Sequence, residues 1–163
     1  MGVAATALVA VVLLVNPKTA SATLFQGVDL DIEYWAGQGS NEAIMIVDFL
    51  ATGGESYCFG YRWDGDATGY DMVQDIAAAG ALYYEATDWG SMGVFIDNFS
   101  YDSDIGNPNN YWAYWVGTAA DGDVDWLSPS VGMTSRPLSD GSFDGWYNGF
   151  DGEEAVKLFD SKK

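Results

Sequence analysis

Histidine is absent from this 163-residue chain, and cysteine occurs once, at Cys58. The first absence excludes the Ser-His and Cys-His nucleophile pairs, His-ligated zinc and axial-histidine haem. The second excludes an intrachain disulfide and a thiolate metal cluster. Basic residues are scarce too: six Lys and Arg stand against 24 Asp and Glu, a formal net charge of −18. A field of that sign repels phosphate backbones and lipid headgroups, so neither nucleic acid nor an anionic membrane surface is an expected partner. Cations are the natural counter-partners, and dense surface carboxylates also keep a protein soluble in a salty medium. Glutamate is the rarer acid, and Glu33, Glu42, Glu55 and Glu85 fall in no recognisable motif. Paired-carboxylate glycoside hydrolysis therefore has no signature here, and a non-enzymatic protein is expected.

Long apolar runs are also few. One of them, Val3 to Val15, is too short to span a bilayer, which takes about 20 residues. Ala20-Ser21-Ala22 follows as the small-x-small pattern of a signal-peptidase site. Residues 1–22 are thus expected to be a signal peptide and 23–163 a single acidic, β-rich domain, secreted to the periplasm or the cell exterior. Loss of Lys18 would leave five basic against 24 acidic residues, a net charge of −19.

What the chain does have is rings and turns. Seven Trp, ten Tyr and eight Phe argue for a packed core, since disordered acidic tails lack such residues. Asp-Gly pairs at 64–65, 121–122, 140–141 and 151–152 predict tight turns. Between them lie strand-like runs. Ala43 to Leu50 is apolar and β-branched, while Ser56 to Trp63 alternates, with Tyr57, Phe59, Tyr61 and Trp63 on one face and Cys58, Gly60 and Arg62 on the other. Gly93 to Tyr101 and Tyr111 to Val116 are two more, and further strands are expected near Val124–Leu127, Ser130–Ser135 and Asp144–Asn148. One helix is predicted over about 68–79. Thr68 and Asp71 form a capping box, Met72, Val73, Ile76 and Ala77 form an apolar stripe, and Gly80 marks the end. The expected fold class is α+β, mostly β, with antiparallel sheets and one short helix.

The order of these pieces resembles the carboxy-terminal β domain of transcobalamin and its bacterial relatives. It runs from an aromatic strand through a helix with Tyr70-Asp71-Met72 and a strand around Gly93-Val94-Phe95-Ile96. It continues to Asn110-Tyr111-Trp112-Ala113-Tyr114-Trp115-Val116-Gly117 and Leu138-Ser139-Asp140-Gly141. Ser130 to Trp146 is also similar to small secreted bacterial proteins that carry sorting signals. The resemblance spans about Ser56 to Trp146 and implies a β-domain fold. In that family the domain closes over a corrinoid with help from a separate helical domain, no counterpart of which is expected in these residues.

Two places carry candidate binding chemistry. Asp102, Asp104, Asn107, Asn109 and Asn110 crowd oxygen donors around Gly106 and Pro108, as a calcium loop requires. The spacing is not that of an EF-hand, and an Asx-rich turn capping its own backbone would produce the same pattern. Asp121, Asp123 and Asp125 alternate beside a turn and form a weaker candidate of the same kind. The second place is aromatic. Tyr57, Tyr61 and Trp63, or Trp112, Tyr114 and Trp115, are candidates for a platform on which a sugar or a flat macrocycle stacks, although core packing would use such rings equally well. Gly60 would let a ligand or another backbone come close. Arg62 and Arg136 are the only arginines, and Arg62 is expected to pair with an acid. The leading expectation is an accessory or assembly protein working through protein contacts, with calcium as the candidate stabilising ion. A carbohydrate- or macrocycle-binding module is the alternative.

Overall fold

A computed structural model of the chain describes residues 22–149. The expected signal peptide lies outside them apart from Ala22, as does the Asp151-Gly152 turn. In chain order the elements are β1 (Ala22–Phe25), β2 (Val28–Gly37), β3 (Asn41–Asp48), β4 (Ser56–Trp63), α1 (Gly69–Ala79), β5 (Tyr83–Asp88), β6 (Val94–Tyr101), β7 (Asp104–Ile105), β8 (Trp112–Ala120), β9 (Asp123–Leu127) and β10 (Ser142–Asn148). They form a seven-stranded sheet, ordered β1-β2-β4-β3-β10-β8-β9, and a three-stranded sheet, ordered β5-β6-β7. The α+β, mostly β class holds, and most pairings are antiparallel. Two are parallel: β2 with β4, and β10 with β3. The second sets the carboxy-terminal strand beside one formed about a hundred residues earlier, a pairing no local pattern specifies.

The helix follows the predicted chemistry closely. The Thr68 hydroxyl accepts from the Asp71 amide at 3.2 Å, and the Asp71 carboxylate accepts from the Thr68 amide at 2.8 Å, a complete capping box. Met72, Val73 and Ile76 are buried beneath α1. They belong to one core with Met45 and Val47 of β3, the aromatic face of β4, and Ile96, Phe99 and Tyr101 of the small sheet. The helix and the small sheet thus cover one face of the large sheet.

The other face of the large sheet is buried as well. Ile44, Ile46, Cys58, Trp115, Trp126 and Phe143 form a second core with Phe25, Val28 and Leu30. Phe25 of edge strand β1 meets Phe143 of β10 edge-on, with centroids 5.3 Å apart. The large sheet therefore curls until its first hairpin folds over its middle. A bulge in β2 between Ile32 and Trp35 accompanies this bend, as bulges commonly do.

Two sequence expectations change, and four strands are new. Ser130–Ser135 is not a strand but part of a turn-rich loop: the carbonyls of Met133 and Arg136 accept from the Tyr70 and Gly69 amides at 3.1 and 3.0 Å. Those amides open α1 and have no partner inside the helix, so the loop serves them instead of a neighbouring strand. Strands β1, β2, β5 and β7 had no sequence expectation. Gly60 does sit under a close neighbour, but it is the chain's own Trp35: a β-carbon there would lie 2.3 Å from the indole.

Candidate functional site

The aromatic strand β4 is held between partners on both sides, so its rings point into the first core. Tyr57, Tyr61 and Trp63 are buried, with Tyr61 and Trp63 stacked at 5.4 Å and 10°. The Tyr61 hydroxyl donates to Asp75 of α1 at 2.9 Å, and burial beside that carboxylate pushes its pKa upward. On β8, Trp112 is 2% exposed and meets Phe49 and Phe99 edge-on at 5.4 and 5.0 Å. Trp115 faces the second core, and half-buried Tyr114 stacks on Trp146 at 4.6 Å. These six rings pack against the protein's own side chains and present no open platform. Of the neighbouring pair, Tyr111 is the exposed one and Trp112 the buried one.

Asp104 and Asn107 of the acidic loop after β6 use side-chain oxygens internally. Asp104 Oδ2 accepts from the Glu55 amide at 2.8 Å and the Tyr57 hydroxyl at 2.9 Å. Asn107 Oδ1 accepts from the Asn109 amide at 3.0 Å, an Asx turn. The Asn107 amide donates to the buried Asn148 Oδ1 at 2.7 Å, and the Asn110 side-chain amide donates to the Asn148 carbonyl at 3.2 Å. Asp102 sits at the turn itself with φ of 52°. Among the described residues no group of three or more acidic or thiol side chains is placed to hold a metal ion. Asp104, Asn107 and Asn110 thus latch the loop to β4 and β10, Asn109 bonds only to Asn107 within the loop, and Asp104 already fills one carboxylate oxygen.

A buried polar centre lies outside every motif of the sequence. Asp144 is fully buried at the middle of β10. It accepts a short hydrogen bond from the Tyr114 hydroxyl, and Arg136 Nη2 lies 3.3 Å from its Oδ1. That ion pair lacks hydrogen-bond alignment, leaving Oδ1 and Arg136 Nε without hydrogen-bond partners. Desolvation pushes the carboxyl up to about 6, against the opposing pull of Arg136 and Tyr114. Gly69 closes the centre, since a β-carbon there would lie 2.7 Å from the Tyr114 hydroxyl and 2.9 Å from Asp144 Oδ2. Asp144 thus pairs with β8 through Tyr114 and with the loop through Arg136, whose carbonyl accepts from the Gly69 amide that opens α1. Its signal in the sequence was a lone acid inside the otherwise two-sidedly apolar run Phe143 to Tyr147.

Exposed large apolar side chains gather on the small sheet and its hairpin, whereas Leu24 of β1, Leu127 of β9, Leu50, Tyr111 and Val131 are scattered over other elements and loops. Register places Tyr83, Ser100 and Ile105 side by side across β5, β6 and β7, and Thr87 opposite Phe95. The inner face carries Ile96, Phe99 and Tyr101 into the core. On the outer face Tyr83, Phe95 and Ile105 are 60, 42 and 65% exposed, and the hairpin between β5 and β6 adds Trp89 and Met92 at 57 and 66%. Around them stand the exposed acids Glu85, Asp88 and Asp97. The Gly90 amide donates to Asp88 at 2.8 Å and the Trp89 amide to the Gly93 carbonyl at 3.0 Å, so the hairpin tip has a defined shape.

Compared with known proteins, the chain matches no family model, and no curated protein is significantly similar to it.

Proposed function

We propose that this is a secreted or envelope-associated, non-enzymatic accessory protein that works through protein contacts, and that the outer face of the three-stranded sheet is its contact surface. One observation carries the reading: five large apolar side chains stand exposed on one sheet and its hairpin tip, in a protein that packs both faces of its other sheet. Isolated exposed apolar residues are ordinary, whereas a set gathered on one element and rimmed by charge is the usual composition of an interface. The burial of Asp144, with its acid group sealed from solvent, supports a structural rather than a chemical use for the most perturbed carboxyl.

The test is the size of the complex in a native extract. Tagged full chain is expected to run well above its monomer size on gel filtration, and a Trp89→Ser, Phe95→Ser variant to run as a monomer with unchanged melting temperature. A wild-type chain that is strictly monomeric in its native extract overturns the reading.

A further inference from the structure

We infer that the partner presents an extended, basic segment that pairs with the free edge of β5 and continues the three-stranded sheet. This rests on the contact surface proposed above and names its occupant. Strand β5 is paired with β6 on one side only. Among the described residues no backbone hydrogen bond from Tyr83–Asp88 goes to any element other than β6. Half of its N–H and C=O groups therefore face outward, as a template for an added strand.

The four edge strands, β1, β9, β5 and β7, differ in how open they are. Natural edges are blunted by shortness, proline, lysine, bulges or outward charge. Strand β7 has two residues, β1 four and β9 five. Strand β5 is the longest of the four at six residues, contains no proline or lysine, and leaves the bulge of its pairing to β6 at Asp97. Apolar anchors flank it: Tyr83 at its start, and Trp89 and Met92 just past its end.

Charge then chooses the partner. No Lys or Arg occurs anywhere between Arg62 and Arg136, a stretch that contains the whole small sheet. Glu85, Asp88 and Asp97 are exposed on or beside β5, with Thr87 donating to Asp97 at 2.7 Å. A second copy of this chain would set β5 against an equally acidic strand. A segment alternating basic and apolar residues would instead lay its apolar side chains along Tyr83 and Phe95 and its cations among the carboxylates.

The probe is a blocked peptide of about ten alternating lysine and valine residues, long enough to cover one strand. It is titrated into the full chain at low salt, with amide chemical shifts and Trp fluorescence as readouts. The expected result is saturable binding with amide shifts concentrated on Tyr83–Asp88 and the hairpin tip. A copy N-methylated at its central residues keeps its charge but cannot donate, and is expected to bind at least about tenfold more weakly. Glu85→Lys with Asp88→Lys in the protein is expected to weaken the unmodified peptide similarly. Equal binding of the methylated copy, shifts that map to β1 or β9, or no binding at all would each overturn the inference. If the native complex still forms and still depends on Trp89 and Phe95, the contact surface stands and only its occupant is wrong.

Discussion

The seven-stranded sheet buries side chains on both faces, while the three-stranded sheet buries one and leaves Tyr83, Phe95 and Ile105 on the other. Both are rich in rings, so ring content alone does not separate core from surface. What separates them is cover. The large sheet has α1 and the small sheet on one face and its own curled first hairpin on the other; the small sheet, lying on the outside of that stack, has nothing over it among the described residues. The same residue type thus has two uses in one molecule. Trp112, wedged between Phe49 and Phe99, holds the sheets together, and Trp89, at a hairpin tip, contributes little to folding and is available for contact.

Substitution should expose this contrast at its largest. Trp112→Ala removes a buried ring with two edge-on neighbours and is expected to cost about 3–5 kcal/mol in denaturant unfolding. Trp89→Ala is expected to stay within about 0.5 kcal/mol of the parent, as exposed positions usually do. Comparable losses at both positions would break the distinction between the two sheets.

Asp104 offers the next test, because it separates a latch from an ion site. Asp104→Ala removes the acceptor for Glu55 and Tyr57 and is expected to lower stability by about 2 kcal/mol. The loss should be the same in calcium and in chelator. A stability difference that appears only with calcium would restore the loop as a cation site.

The buried centre predicts a pH dependence of similar size. The Asp144 carboxyl is raised in the folded state, so the folded protein holds this proton more tightly than the unfolded chain does. Its contribution is therefore fully present below the unfolded carboxylate range and is lost as pH rises through about 6. Asp144→Asn keeps an acceptor for Tyr114 but removes the titration. Between about pH 4 and 6 the wild type should lose on the order of 2 kcal/mol relative to the variant. Parallel stability curves would show that Asp144 stays ionised against Arg136 throughout.

The helix cap carries a smaller loss than these: Thr68→Ala should cost about 1 kcal/mol, read by thermal or chemical unfolding.

Local patterns in the sequence were reliable guides where the chemistry was local. The Thr68–Asp71 box, the apolar stripe of α1 and the alternation of Ser56–Trp63 all appear as read, and Arg62 pairs with Glu42 at 2.8 Å while lying over Trp35. The patterns were poorer guides to which rings face solvent. Tyr57, Tyr61, Trp63 and Trp112 look like any aromatic strand face, and only long-range pairing buries them. Strand β5 reads Tyr-Tyr-Glu-Ala-Thr-Asp, with too little apolar character to stand out, because its outer side has no core to fill. The Asp144 centre joins β8, β10, α1 and the loop of Arg136, elements that meet only in the finished fold.

Site-specific photo-crosslinking tests the central claim most directly. A photoreactive phenylalanine analogue is placed at Phe95, on the outer face of the small sheet, and separately at exposed Asp66, just before α1, then irradiated in the native extract. A covalent protein adduct formed from position 95 and absent from position 66 is the result expected. Equal adducts from both positions, or none from position 95, would contradict it.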